Sequence, residues 1–220
     1  MEELECKTVF TIPVGQGIPV YESVVVTWII MALLVVVSIL LTRNLRVENP
    51  GRRQLALEAF FATVQNFFKE ILGEEGNRYI PYLIAVAIYV GVANLIGLLG
   101  FVPPTKDLNV TAALALMSIV LIEYAGLRKK GLKGFGKSLA EPLPVMLPFN
   151  ILEILIRPVS LCMRLFGNVL GAFVVMELIK LVVPVVIPVP FSFYFDIFDG
   201  LIQAYVFVFL TSLFIKEQLD

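Results

Sequence analysis

The 220-residue chain reads as an all-α polytopic membrane protein forming a single integral membrane domain over residues 1–220, and three observations lead there. Hydrophobic residues make up 59% of it and charged residues 16%, with a mean hydropathy of +0.90, whereas water-soluble domains run near ~50% and ~25%. The apolar residues gather in five long runs, three almost free of charge and two largely apolar, and lysine and arginine collect in the links on one side of those runs. A water-soluble globular enzyme is therefore excluded. The net charge of −1 argues against a nucleic-acid partner, which would want a basic surface. There is no histidine, which closes off HExxH zinc sites and Ser-His hydrolases, and no metal or other cofactor is implied. Cys6 and Cys162 lie far apart in different settings and imply no disulfide framework.

The first run, residues 24–41, carries no charge and is about long enough to cross ~30 Å of hydrocarbon. It begins too late, behind the acidic Glu2, Glu3 and Glu5, to read as a cleaved signal peptide. Residues 53–72 are different: Leu57, Phe60, Phe61, Val64, Phe67, Phe68, Ile71 and Leu72 recur at helical spacing with Glu58, Gln65, Lys69 and Glu70 between them. That pattern predicts an amphipathic helix at the cytoplasmic interface or against the bundle, serving either as a docking surface for a partner helix or as membrane-surface packing. Residues 79–102 form a second uncharged run, and residues 110–127 a third with Glu123 near its end. Residues 151–183 and 192–215 complete the set, joined by a link containing Pro184, Pro188 and Pro190 that predicts a turn. Five crossings is the simplest count.

Orientation follows from the cationic residues. Arg43, Arg46, Arg52 and Arg53 follow the first run, and Arg128, Lys129, Lys130, Lys133 and Lys137 follow the third. The opposite loops, 103–108 and 181–190, carry only Lys106 and Asp107. An outside N-terminus and a cytoplasmic C-terminus result. No internal repeat of the kind that builds many secondary transporters is visible.

The chemistry concentrates in residues 151–215. Arg164 sits near the middle of an apolar segment, where a charge costs ~2.5 kcal/mol or more and should face protein or water. At 100° per residue, Arg157, Ser160, Gly167, Asn168 and Gly171 fall within about 60° of it. Small residues on such a stripe let another helix approach closely. The last segment offers Asp196, Asp199, Gly200 and Gln203 at i, i+3, i+4 and i+7, one face of a helix. Two readings stand: a permanent intramembrane Arg–Asp pair within the chain, or an arginine that meets a carboxylate coming and going on another subunit while Asp196 and Asp199 line a wet path to the outside. Glu177 and Lys180 read either as an i,i+3 surface pair with Lys180 snorkelling, or as part of the same aqueous entrance. Glu141 and Glu153 lie near the cytoplasmic start of the long segment, as ordinary helix-dipole chemistry or as the lining of a second cavity. As one helix, 151–183 would extend about 50 Å, too long for an ordinary tilt. A long slanted hairpin over 143–216, presented sideways, is the expectation.

Three motifs carry a family resemblance over nearly the whole chain. Arg157-Pro-Val-Ser-Leu-Cys-Met-Arg164-Leu-Phe-Gly-Asn168 resembles the signature of subunit a of F-type ATP synthases; Asp196-Ile-Phe-Asp-Gly-Leu-Ile-Gln203-Ala-Tyr-Val-Phe resembles its second; Asn94-Leu-Ile-Gly-Leu-Leu-Gly-Phe-Val-Pro-Pro-Thr105 is similar to a third, weaker one. The resemblance implies the ion-translocating stator subunit of a rotary motor in a bacterial plasma membrane. Its last two helices would curve around a c-ring of identical hairpin subunits, with the peripheral-stalk subunit b and the rest of the complex as further partners in the bilayer. Two offset half-channels would bring ions to and from the ring carboxylates. Arg164 takes the family's essential arginine position, Asn168 and Gln203 its flanking polar positions, Ser160 the serine of the inner path, and Asp196 a titratable position of the outer path. Arginine suits a gate because it stays charged in any realistic environment. Where many members carry an acid nine positions after the arginine, Phe173 stands here; Glu177, one turn later on nearly the same face, is the candidate substitute, and Asp199, where an apolar residue is common in the family, adds a second outer carboxylate. No GxxxxGK[ST] run occurs, so nucleotide chemistry would belong to other subunits and this chain would be non-catalytic. Two rivals remain at this point: a stand-alone secondary transporter binding an anionic substrate at Arg164, and an intramembrane aspartyl protease using Asp196 and Asp199.

Overall fold

The computed structural model describes residues 8–12, 18–43, 45–46, 50–99, 101–138, 147–182 and 188–219. Glu2, Glu3, Glu5, Cys6, Glu141 and Pro184 lie outside them, as do residues 143–146 at the start of the expected hairpin. The chain opens with an antiparallel pair of short strands, β1 (Thr8–Ile12) and β2 (Ile18–Tyr21). The all-helical expectation did not foresee this small hairpin, because a five-residue Thr/Val/Phe/Ile stretch is too short to compete with the apolar runs as a signal.

Seven helices follow. α1 (Glu22–Thr42) runs directly out of β2, and α2 (Arg52–Leu72) is the amphipathic segment. A 3₁₀ lead-in, Glu74–Tyr79, feeds α3 (Ile80–Leu95), which tightens again into 3₁₀ over Ile96–Leu99. After a single 3₁₀ turn, Pro104–Lys106, comes α4 (Leu108–Ser138), broken at Gly131, whose φ is 68°. Then come α5 (Leu147–Val182), the short α6 (Pro188–Ser192), a π-helical segment Phe193–Asp199, and α7 (Gly200–Leu219). Five of these stretches are long and apolar enough to cross a membrane: Glu22–Thr42, Glu74–Leu99, Leu108–Gly131, Leu147–Leu181 and Pro190–Leu219. The five runs read from the sequence are these five.

The core is where α3, α4, α5 and α7 meet. Leu83, Val86 and Val90 of α3 interlock with Ala115, Ile119 and Ile122 of α4, Leu161 and Leu165 of α5, and Phe207, Val208 and Ile215 of α7. A smaller cluster joins Val26 and Ile30 of α1 to Ala93 and Ile96. Two hydroxyls inside this packing satisfy themselves on their own helix, as an apolar solvent favours. The Thr211 hydroxyl donates to the Phe207 carbonyl at 2.8 Å and the Ser212 hydroxyl to the Phe209 carbonyl at 2.6 Å. Cys162 is a free, buried thiol.

The amphipathic helix divides its apolar face. Its C-terminal half seats Phe68 and Leu72 in the core with Val64, Phe67 and Ile71 against it, and Phe67 stacks toward Tyr205 and Phe209. Leu55, Phe60 and Phe61 in the other half stay exposed. Packing against the bundle therefore accounts for half of the stripe.

The legs of the C-terminal hairpin are supported unequally. α7 lies mainly against α3 and α4, while α5 leans mainly on α4 and touches α7 much less. At 36 residues α5 extends about 54 Å, and an entire side of it remains uncovered, including Leu152, Leu155, Val159 and Met163.

Candidate functional site

Two faces of α5 organise the site. The first is the exposed one: Ser160, Arg164, Gly167 and Gly171 are all solvent-facing. The guanidinium of Arg164 takes part in none of the ion pairs among the described residues, which are Lys129–Glu75, Arg157–Glu153, Arg157–Glu217 and Lys180–Glu177. The permanent intrachain Arg164–Asp pair weighed from the sequence is thus not formed among the described residues. Flanking glycines and the small Ser160 leave the arginine standing on an open strip of helix, accessible to a surface that would come alongside.

The second face begins at Asn168, about 40° around the helix from Arg164, and continues through Ala172, Phe173, Met176, Glu177 and Lys180. Opposite it stand Ser192, Asp196, Asp199, Gly200 and Gln203, with Asn94, Gly97, Pro103 and Lys106 closing the third side. Together they enclose a cavity of about 280 Å³. The expected cluster of Asn168, Gln203, Asp196, Asp199 and Glu177 is therefore brought together around one space. Arg164 and Ser160 are not in its lining; Asn168 is where the cavity meets the arginine's face.

The sequence foresaw an α-helical face for Asp196–Gln203, and the structure builds it differently. Residues 193–199 are π-helical, and the Gly200 N–H reaches back to the Phe195 carbonyl. A π turn widens the helix and rotates successive side chains less than an α turn does, a distortion often found at functional sites. Two glycines make the wide turn fit. A Cβ on Gly200 would sit 3.0 Å from the Asn94 Cβ, and one on Gly97 would sit 3.1 Å from the Asp196 Oδ1. Both glycines thus permit α3 to press against the carboxylate-bearing segment.

Asn94 locks that contact. Its Nδ2 donates to the Gly200 carbonyl at 3.0 Å, and its Oδ1 accepts from the Thr105 hydroxyl at 2.8 Å. It is 4% exposed. Asn94 stands in the third motif, and the signal for its part here is an amide inside an uncharged 24-residue run (residues 79–102).

Within the cavity the carboxylates are held by different partners. Asp196 Oδ2 accepts from the Ser192 hydroxyl at 2.6 Å. Glu177 Oε1 accepts from Lys180 Nζ at 2.7 Å, so the expected i,i+3 pair forms, and both partners nevertheless line the cavity. Phe173, where an acid was expected by resemblance, has the Lys106 ammonium 3.4 Å above its ring centroid. A cation over an aromatic face is a favourable contact, so the ring serves here as a rest for Lys106. Asp196 and Asp199 lie on one π segment rather than on facing elements, which is unlike a protease dyad.

Gln203 is 6% exposed and accepts from Asn168 Nδ2 at 3.4 Å, while its own Nε2 is buried without a partner. By resemblance Gln203 is a polar position flanking Arg164; its hydrogen bond among the described residues is to Asn168. The amide pair nonetheless bridges α5 and α7 one turn from the arginine.

Arg157 takes an unexpected place. Seven residues before Arg164 on the same stripe, it is 6% exposed and bonded to Glu153 at 2.9 Å and Glu217 at 2.7 Å, with the Phe214 ring 5.0 Å away. Its Nε and Nη1, and both oxygens of Glu123, are buried without hydrogen-bond partners. Glu153 is thereby an anchor for Arg157. The partner Glu217 was missed because a charged C-terminal stretch looks like an ordinary solvated tail in sequence.

Comparison with known proteins gives one consistent result. The ATP synthase A chain family matches residues 24–216. An ATP synthase subunit a of Moorella thermoacetica is 40% identical over 201 residues, 91% of this chain and 91% of its own. A second relative, ATP synthase subunit a 1 of Hahella chejuensis, is 40% identical over 197 residues, covering 89% of this chain and 83% of its own. A sodium-ion-specific ATP synthase subunit a of Propionigenium modestum is 32% identical over 216 residues, covering 91% and 74%.

Proposed function

The chain belongs to the ATP synthase A chain family, and from that premise we propose how its residues carry ions past a rotor. It is the ion-translocating stator subunit of a rotary ATP synthase, a non-catalytic member of the membrane sector whose nucleotide chemistry resides on other subunits.

In the proposed mechanism the cavity between α5, the π segment and α3 is the outer half-channel. An ion enters past Glu177 and Lys180, passes Asp196 and Asp199, and reaches the Asn168–Gln203 amide bridge. There it neutralises a carboxylate on a c-ring hairpin lying against the exposed side of α5. The inner half-channel leaves along the Ser160 side of Arg164. The arginine separates the two: its fixed positive charge attracts an ionised ring carboxylate and repels a cation seeking a short cut, and it cannot itself release a proton. One charge crossing 100 mV gains ~2.3 kcal/mol, so several ions must be coupled to each nucleotide made.

The observation that carries this reading is the state of Arg164: a guanidinium near the middle of a 36-residue apolar helix, exposed, with no carboxylate of its own chain engaged among the described residues. Such a charge is costly in lipid unless a partner supplies the counter-charge. The c-ring fits that demand, a slanted α5–α7 hairpin (143–216) would present the strip to it, and subunit b and the remaining complex complete the assembly. In a bacterial plasma membrane α2 (residues 53–72 from the sequence) would lie at the cytoplasmic interface, with the N-terminus outside and the C-terminus cytoplasmic, an orientation the Lys/Arg bias supports.

The test is Arg164→Ala in the assembled complex. ATP-driven ion pumping into inverted vesicles should vanish while subunit composition stays normal; normal pumping would end the gate assignment. Among the described residues no structural feature favours a self-contained anion transporter.

A further inference from the structure

We propose that the crevice between the end of α1 and the start of α2 binds an anionic phospholipid, with Arg43, Arg46 and Arg53 around its phosphodiester and an acyl chain laid along Leu40 and Leu41. The crevice encloses about 340 Å³, and its lining holds these three arginines and four leucines, Leu45 and Leu57 among them, with Gly51 and Gln54 completing it. Among the described residues no carboxylate forms an ion pair with any of the three arginines. Three arginines lining one crevice, none of them ion-paired among the described residues, suit a phosphate, because each guanidinium offers a planar fork of donors matched to phosphate oxygens.

The walls are held in place. Gln54 grips the backbone of Arg46 from both sides, accepting from its N–H at 2.9 Å and donating to its carbonyl at 2.9 Å, and donates also to Glu58 Oε1 at 2.7 Å. The Leu55 N–H closes on the Gly51 carbonyl at 3.0 Å. The backbone of Arg46 is thus pinned to the first turn of α2.

Position distinguishes a lipid from a dissolved anion. Arg43 immediately follows α1, a span of 21 residues, so the guanidiniums sit where hydrocarbon gives way to headgroups. Leu40 and Leu41 are 64% and 49% exposed and continue the uncovered apolar flank of α1. A free phosphate would leave that flank in place; a diacyl lipid satisfies the arginines and covers the leucines at once. Basic pockets beside membrane helices recognise anionic headgroups for this reason. The inference stands on α1 and α2 alone and does not depend on the ion path.

The experiment uses the assembled complex in phosphatidylcholine nanodiscs doped with a photo-crosslinkable phosphatidylglycerol or, separately, phosphatidylcholine, with adducts mapped by mass spectrometry. Adducts on residues 40–57 should be at least about tenfold more abundant with the anionic probe. Equal labelling by both probes overturns the proposal. R43Q/R46Q/R53Q should abolish the preference, and a preference that persists in that variant overturns it. If that variant fails to assemble, the wild-type complex decides: excess inorganic phosphate should leave labelling by the anionic lipid intact, whereas displacement by phosphate marks a soluble-anion site and overturns the lipid assignment.

Discussion

Arg157 and Arg164 share one helix and one stripe, two turns apart, and the structure treats them oppositely. Arg157 is 6% exposed, grips two carboxylates and lies beside the Phe214 ring. Arg164 is exposed and engages no carboxylate of its own chain among the described residues. The cause is α7. Near its C-terminal end α7 brings Glu217 and Phe214 to Arg157, whereas at the level of Arg164 it presents the neutral Gln203 to Asn168. One arginine thereby fastens the bundle and the other is kept for a partner. A stripe of like residues on a helix says which way they point and nothing about what stands opposite.

Exchanging the fates of the two arginines is the sharpest way to break this contrast. Arg164→Gln should bring ATP-driven pumping down to background, with thermal stability of the complex unchanged; a stability loss with residual pumping would make Arg164 a structural residue. Arg157→Gln should do the reverse. Its two carboxylate partners are each about half exposed, so the loss is about 1–2 kcal/mol, read as a lower melting temperature of the complex with pumping per assembled complex retained. A pumping loss equal to that of Arg164→Gln would erase the distinction.

Gly200→Ala tests the contact beneath the cavity. Its Cβ would press on Asn94 at 3.0 Å, costing about 1–2 kcal/mol and slowing ion entry as the π segment is pushed from α3; unchanged stability and rate would show the contact to be slack. Asp196→Asn with Glu177→Gln should slow ion uptake several-fold, and an unaltered rate in the pair would remove both from the entrance. Lys180→Gln should have the smallest effect. An exposed i,i+3 pair is worth no more than about 0.5 kcal/mol, and stability measured by denaturation should barely move.

Much of the architecture was legible because membrane solvent imposes simple rules. Hydrocarbon demands long, predominantly apolar runs, and each of the five became a helix long and apolar enough to cross. The amphipathic pattern likewise became α2. The cavity's membership was also legible in part: Asn168, Glu177, Asp196, Asp199 and Gln203 do meet around one space. What did not show was the means of meeting. An α-helical wheel placed the aspartates on one face, yet a π segment braced by Asn94 holds them there. Lys106 read as a loop charge, though it rests on Phe173 inside the cavity.

By itself the sequence determined the crossings, the charge asymmetry and the presence of an arginine in an apolar helix, since each is a transfer free energy summed over neighbouring residues. Tertiary structure alone decided that Arg157 is sheathed and Arg164 bare, that the aspartates sit on a widened turn, and that half of the amphipathic stripe is used up inside the bundle. Those outcomes depend on which distant residue arrives opposite, and that pairing is set by how four helices share one core rather than by any local pattern.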